Sequence, residues 1–110
     1  MHDRQLPVLT HLQFLVLGVL LSGQQSGRAI RQTIEQYGIR RSAPAFYQVM
    51  ARLERDGMVD GWYEQVKIGD QAVTERRYRT TAAGSKMWER AYAFYQGVHV
   101  SVRERRWSNV

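Results

Sequence analysis

Between Ser42 and Gly84 the chain carries an order of signals that few folds accommodate. Ser42 is a favourable helix N-cap, and Pro44 stands in the first turn behind it, where a missing N–H costs little. Phe46, Val49, Met50 and Leu53 then recur at three- and four-residue spacing as a buried stripe, and Gly57 stops the helix. Ala45, Gln48, Arg52 and Arg55 are left on the free face. From Val59 to Ile68 a strand is expected, with Trp62, Glu64, Val66 and Ile68 alternating against Tyr63, Gln65 and Lys67. Gly69 and Asp70 mark a turn, and a return strand from about Val73 to Thr80 points Tyr78 inward and Arg77 and Arg79 outward. A helix with one open polar face, followed by a hairpin flanked by basic residues, is how a chain prepares a helix for a DNA groove with a β-hairpin beside it.

Upstream, the residues from Thr10 to Leu21 are apolar on nearly every side apart from Gln13, so this helix must be covered on more than one face. In so short a chain the second covering surface is expected to be another subunit. Ser22 to Gly27 give a turn, because glycines and short polar side chains disfavour continuing the helix. A second helix from about Gly27 to Tyr37 carries Ala29, Ile30, Ile34 and Tyr37 at three- and four-residue spacing, ends before Gly38, and leaves Arg28, Arg31 and Gln32 toward solvent. Downstream, Thr81 caps a last helix bearing Met87, Trp88, Ala91, Tyr92, Phe94, Tyr95 and Val98, a stripe too wide for packing against one neighbour. Gly97 is expected to end or kink that helix, and residues 100–110 carry no readable pattern.

Composition narrows the function classes. At 110 residues with 44% hydrophobic content, the chain buries one modest core and reads as one compact unit. There are no cysteines, which excludes disulfides and thiolate metal sites. The apolar run from Phe14 to Leu21 is far shorter than the roughly 20 residues a bilayer demands, and the mixed charge of His2, Asp3 and Arg4 does not suit a signal peptide. The expectation is a cytoplasmic protein with no membrane partner. A formal net charge of +6 favours a polyanionic partner, since clustered cations release counterions when they meet phosphates. His2, His11 and His99 are scattered, without carboxylates at metal-ligand spacing, and are expected to be surface or packing residues. Ser22, Ser26 and Ser42 lack an evident base, and no glycine-rich phosphate cradle appears. Neither an enzyme, nor a cofactor, nor a metal site is expected.

The order helix, helix, helix, hairpin is that of the winged helix-turn-helix, whose third helix enters the major groove. The expected fold class is mainly α with a small β-hairpin: a winged-helix unit over residues 1–80, and a C-terminal dimerisation helix and tail over 81–110, within the same compact unit. The run Phe46-Tyr47-Gln48-Val49-Met50-Ala51-Arg52-Leu53-Glu54 with Gly57-Met58-Val59 resembles a signature of PadR-type transcriptional regulators. Arg77-Tyr78-Arg79-Thr80-Thr81-Ala82-Ala83-Gly84 is similar to that family's stretch after the wing, and Leu17-Gly18-Val19-Leu20-Leu21 with Gly27 to its first helix and turn. The likeness spans roughly Leu9 to Val98. Two positions depart from it: Ser26-Gly27-Arg28 stands where the family usually has His-Gly-Tyr, and Thr80 replaces a leucine. The resemblance implies the family's short class, in which the first and last helices form the dimer.

Site residues follow from these readings. Arg40, Arg41 and Ser42 precede the third helix, where free N–H groups and the helix dipole favour a phosphate. On the reading helix, Ala45, Gln48 and Arg52 face outward; glutamine suits adenine, and arginine suits guanine or a phosphate. Tyr47 is expected to pack its ring and offer its hydroxyl to the DNA backbone. Arg28 joins the set from the second helix, and Lys67, Gln71, Arg76 and Arg77 from the wing, although Asp70 and Glu75 dilute the field there. Arg103, Arg105 and Arg106 are expected to form a solvated end. The expected dimer interface comprises Leu12, Leu15, Val16, Val19, Met87, Trp88, Ala91, Tyr95 and Val98. Trp88, Tyr92 and Tyr95 are candidates for a flat cavity at the dimer centre taking a small planar apolar ligand, as the resemblance implies. The partners expected are therefore double-stranded DNA with a palindromic operator, a second copy of the chain, and that ligand. The rival reading is a winged helix used as a protein-interaction module, its basic face serving an acidic partner.

Overall fold

A computed structural model describes the backbone of residues 6–108 and the side chains of residues 6–98. The expectations for His2, and for the side chains of His99, Arg103, Arg105 and Arg106, lie outside the described residues. The elements run α1 (His11–Leu20), β1 (Gln25–Ser26), α2 (Gly27–Gln36), α3 (Ala43–Arg55), β2 (Val59–Ile68), β3 (Gln71–Thr80) and α4 (Ala82–Ser108). This is a winged helix-turn-helix with a long helix appended, the fold class that the sequence predicts. Among the described residues no helix is long and apolar enough to cross a membrane.

Local chemistry sets the boundaries. Thr10 opens α1 with a reciprocal cap: its hydroxyl accepts from Gln13 N at 3.1 Å while Gln13 Oε1 accepts from Thr10 N at 3.0 Å. Ser26 and Ser42 cap α2 and α3 by accepting from Ala29 N and Ala45 N. Both helices stop in the same way. Gly38 (φ +85) and Gly57 (φ +74) take the left-handed conformation, and the next residue bonds back into the last turn: Ile39 N to Ile34 O, and Met58 N to Leu53 O. Thr81 joins two elements, since its hydroxyl donates to Gly57 O at 2.6 Å and accepts from Gly84 N at 3.0 Å, fixing the start of α4 against the end of α3.

The sheet is antiparallel with order β1-β3-β2. Ile68 pairs with Gln71, so Gly69 (φ +64) and Asp70 form a two-residue turn with glycine where such a turn favours it. The β1 strand, Gln25↔Tyr78 and Ser26↔Arg77, lies where the sequence predicts only a turn. Two residues are too few to produce a periodic signal; what holds them is the open edge of β3. One core gathers Val16, Leu17 and Leu20 of α1, Ile30 of α2, Phe46, Met50 and Leu53 of α3, Val59 and Tyr78 of the sheet, and Ala91 of α4. The last helix departs from expectation. It runs 27 residues, about 40 Å, straight through Gly97 to Ser108, taking in most of the stretch that carries no readable pattern.

Candidate nucleic-acid interface

The open face of α3 is the centre of the site. Phe46, Met50 and Leu53 are fully buried, which fixes the helix's rotation and turns Tyr47, Gln48, Arg52 and Arg55 outward; Ala45 is half-buried. Arg40, Arg41 and Ser42 are exposed at its N-terminal approach, where Arg31 donates to Arg41 O at 3.1 Å and steadies the loop. Tyr47 stacks on Phe46 with ring centroids 5.2 Å apart. Its hydroxyl reaches the first residue of α2, so closely that a Cβ on Gly27 would lie 2.6 Å from it. Gly27 is thus the residue that lets the start of α2 lie against α3.

On the wing, the register separates two faces. Tyr63, Gln65, Lys67, Ala72, Thr74, Arg76 and Tyr78 share the face turned to α3, whereas Glu64, Gln71, Glu75, Arg77 and Arg79 share the other. Lys67 and Gln71 are both exposed, near the hairpin tip, but on opposite faces.

Three of the arginines expected to contact phosphate are engaged with carboxylates within the protomer. Arg76 is turned inward: its Nη2 donates to Glu54 Oε1 at 2.6 Å, and its guanidinium lies 4.7 Å from the centre of the Tyr63 ring. Burial works against the Arg76 charge, but the bonds to Glu54 and Tyr78 and the Glu54 charge outweigh it and hold its pKa above the usual guanidinium value. Burial also pushes the Tyr78 phenol up, with Arg76 pulling it partly back. Gly61 makes room for the pair, since a Cβ there would meet both Glu54 Oε1 and Arg76 Nη2 at 2.8 Å. Arg77 contacts Glu64 at 3.0 Å, Glu75 at 3.3 Å and Gln24 Oε1 at 3.2 Å. Arg28 donates to Glu75 at 2.8 Å. By contrast Arg40, Arg41, Arg52 and Lys67 have no carboxylate partner among the described residues. The sequence reading placed Glu75 among the wing's cations but missed its pairing with Arg28, and missed Glu54 as a site residue altogether. Alternation does put Glu75 and Arg77 on one face, but nothing local links Glu54 to Arg76.

Away from α3, Phe14, Trp88 and Tyr92 form a stack with centroid spacings of 5.3 and 5.1 Å, and Tyr95 meets Phe14 edge-on at 6.2 Å. The Trp88 indole N–H is buried against Gly18 and has no hydrogen-bond partner among the described residues. Beside it, Phe14, Leu15, Gly18, Thr33, Tyr37 and Trp88 help line an open hollow of about 320 Å³. Two residues of the expected dimer interface are corrected: Val16 and Ala91 are each only 1% exposed within the protomer, so their side chains belong to its own core. Leu12, Leu15, Val19, Met87 and Trp88 remain half-buried, while Tyr92, Tyr95 and Val98 are exposed. No group of three or more metal-ligating side chains comes together among the described residues.

A three-helix core, a hairpin wing and an outward third helix define a winged-helix protein of the kind that carries a reading helix. Solved structures narrow the type. The chain is similar to a PadR family transcription regulator from Clostridium difficile R20291, with 13% identity, a TM-score of 0.73, and 86% of this chain and 97% of that one covered. It is also similar to a PadR-like transcription factor from Bacteroides fragilis, with 17% identity, a TM-score of 0.70, and coverage of 84% and 87%. A third is a PadR family regulator from Eggerthella lenta DSM 2243, with 25% identity, a TM-score of 0.62, and coverage of 82% and 79%. No protein-family profile matches the sequence, and no curated protein matches it significantly. The fold is the PadR-like form of the winged helix, in agreement with the resemblance carried by the sequence motifs.

Proposed function

We propose that the protein is a cytoplasmic, homodimeric, DNA-binding transcriptional regulator that acts as a repressor. The observation that carries the reading is the distribution of unpaired cations. Arg40, Arg41, Arg52 and Lys67 lie around the exposed face of α3 with no carboxylate partner among the described residues, as does Arg31 of α2, whereas Arg28 of α2 and Arg76, Arg77 and Arg79 of the wing are bound to carboxylates. Arg40 and Arg41, with Ser42 and the free N–H groups of the α3 N-terminus, hold a phosphate. Gln48 and Arg52 read base edges, Ala45 lets the helix approach closely, Tyr47 offers its hydroxyl to the backbone, and Lys67 and Gln71 follow phosphates from the wing. The PadR-type regulators that share the fold support the same reading.

Dimerisation follows from what α4 leaves open. Tyr92, Tyr95 and Val98, with the half-buried Leu12, Leu15, Val19, Met87 and Trp88, need a covering surface, and a second copy supplies the same patch in return. Two α3 helices would then meet successive major grooves roughly 34 Å apart on a near-palindromic operator. A small planar apolar compound seated among Trp88, Tyr92 and Tyr95 would shift the dimer between DNA-competent and incompetent spacings, provided it prefers one of them. Compounds that neither quench Trp88 fluorescence nor alter operator affinity would remove this ligand from the account.

The direct test is binding to random duplex over a range of salt. Several phosphate contacts per dimer require a steep linear fall of log affinity with log salt. A protein-interaction module would instead bind duplex feebly at every salt concentration. Selection of bound fragments from random duplexes should return a palindrome, and a non-palindromic product would refute the two-helix arrangement.

A further inference from the structure

We propose that Glu75 is a specificity-determining residue that withholds Arg28 from duplex phosphates; the inference rests on the DNA-binding reading above. The carboxylate is held from both sides. Its Oε1 accepts from Arg28 Nη2 at 2.8 Å and its Oε2 from Arg77 Nη1 at 3.3 Å, and its side chain is 14% exposed. Arg77 has a second carboxylate, Glu64, at 3.0 Å, so its charge stays countered without Glu75. Arg28 has no other carboxylate among the described residues, and at 59% side-chain exposure it is accessible to solvent. Its backbone follows Gly27, which abuts the Tyr47 hydroxyl on α3, while its guanidinium is drawn to Glu75 on the wing face turned away from α3; released from that carboxylate, the long side chain can swing toward the α3 side.

An arginine already neutralised by a carboxylate adds little to counterion release, which is the part of DNA affinity that carries no sequence information. Holding Arg28 back lowers affinity for every duplex alike and leaves discrimination to the base-reading side chains of α3. Specificity here comes from a restraint on generic attraction as well as from favourable base contacts. Arg77, clamped between Glu64 and Glu75, acts on this site as a positioning residue that orients the Glu75 carboxylate toward Arg28.

The test is the salt dependence of binding to random duplex by the full chain as wild type, E75Q and E75Q/R28Q. E75Q should bind more tightly at 50 mM salt, with a slope of log K against log salt steeper by about 0.9 per protomer, or about 1.8 for a dimer. Its advantage therefore shrinks roughly twelvefold by 200 mM. Adding R28Q should return the slope to the wild-type value. An E75Q slope equal to wild type, or a gain that survives R28Q, overturns the proposal while leaving the DNA-binding reading intact. A wild type that binds no duplex at any salt overturns both. Should E75Q fold poorly by circular dichroism, R28Q alone, which leaves the wing unaltered, decides the matter: its slope matches wild type if Arg28 is withheld, and a shallower slope overturns the proposal.

Discussion

Replacing Gly84 by alanine should damage the junction between wing and α4 more than an exchange in a helix normally does. The residue is buried in the first turn of α4, where alanine would ordinarily be preferred. A Cβ at this position, however, would overlap the Met58 carbonyl oxygen outright and lie 2.6 Å from Thr80 Oγ1. Neither neighbour yields easily. The Met58 oxygen is backbone, and it accepts from Thr81 N at 3.0 Å and Thr80 Oγ1 at 3.4 Å, the bonds that seat α4 on the end of α3. Overpacking of this kind costs about 1 to 3 kcal/mol, and a weakened hydrogen bond adds about 1 kcal/mol. The helix-propensity gain of alanine, at most about 1 kcal/mol and smaller in a first turn, offsets part of that. A net loss of about 2 kcal/mol remains. For 110 residues the unfolding entropy is roughly 0.23 kcal/mol/K, so Tm should fall by about 9 °C. Thermal melting followed by circular dichroism at one fixed protein concentration measures this, with Ala83→Gly as the comparison, since Ala83 is exposed and its exchange alters only propensity. A Gly84→Ala protein melting within about 2 °C of wild type, or above it, would show that the contact yields and that the reasoning is wrong.

On the reading helix, Gln48→Ala should relax preference at one base pair, by about 1 to 3 kcal/mol, whereas Lys67→Ala should weaken all sequences alike and flatten the salt slope; uniform effects from both would refute the assignment of α3. In a double-mutant cycle on unfolding, Glu54→Ala and Arg76→Ala should couple by about 1 to 2 kcal/mol, because the pair is close and half-buried, and a coupling under about 0.5 kcal/mol would deny that it anchors the wing. Burial raises the Tyr78 phenol above its ordinary 10.0 in the folded state, so the stability tied to its neutral form is complete below pH 10.0 and lost as pH climbs through the folded value. Denaturant titrations from pH 8 to 11 should therefore show a decline that Tyr78→Phe reduces, and parallel declines for the two proteins would contradict the assigned burial.

Helix starts were legible in the sequence because their causes are local. Ser42 with Pro44, and Thr81 three residues before Gly84, act on N–H groups within one turn, and the caps formed as predicted. Helix ends were less so. Gly57 and Gly97 look alike in sequence, each followed by an apolar residue, yet the chain turns at the first and continues through the second. The difference lies in what waits outside the helix. Met58 packs against the core, which rewards leaving the helix, while Val98 is 46% exposed and finds no such contact. A lone glycine costs a helix only about 1 kcal/mol and stops it only when something else draws the chain away. The β1 strand and the ion pairs were illegible for a related reason: Arg28 and Glu75 are 47 residues apart, and Glu54 and Arg76 are 22 apart. No periodicity records a partner at such a distance.

That last difficulty bears on how charge is to be interpreted in this chain. A formal charge of +6 from 16 lysines and arginines suggests a broadly cationic surface. Pairing redistributes it. Arg28, Arg76, Arg77 and Arg79 each meet a carboxylate at 3.4 Å or less, and an ion pair projects a dipole field that fades faster than that of a free charge and is screened within about 10 Å at ordinary salt. On the proposed reading, a duplex approaching α3 would meet concentrated charge at Arg31, Arg40, Arg41 and Arg52, a single lysine at the wing tip, and wing arginines already paired with carboxylates. Such a surface would attract phosphates at the proposed docking helix and more weakly elsewhere. On the same reading, register on the duplex would be fixed close to Gln48, where a displacement of one base pair would change which edge the side chain faces, and a docking error would cost contacts instead of sliding to an equivalent position.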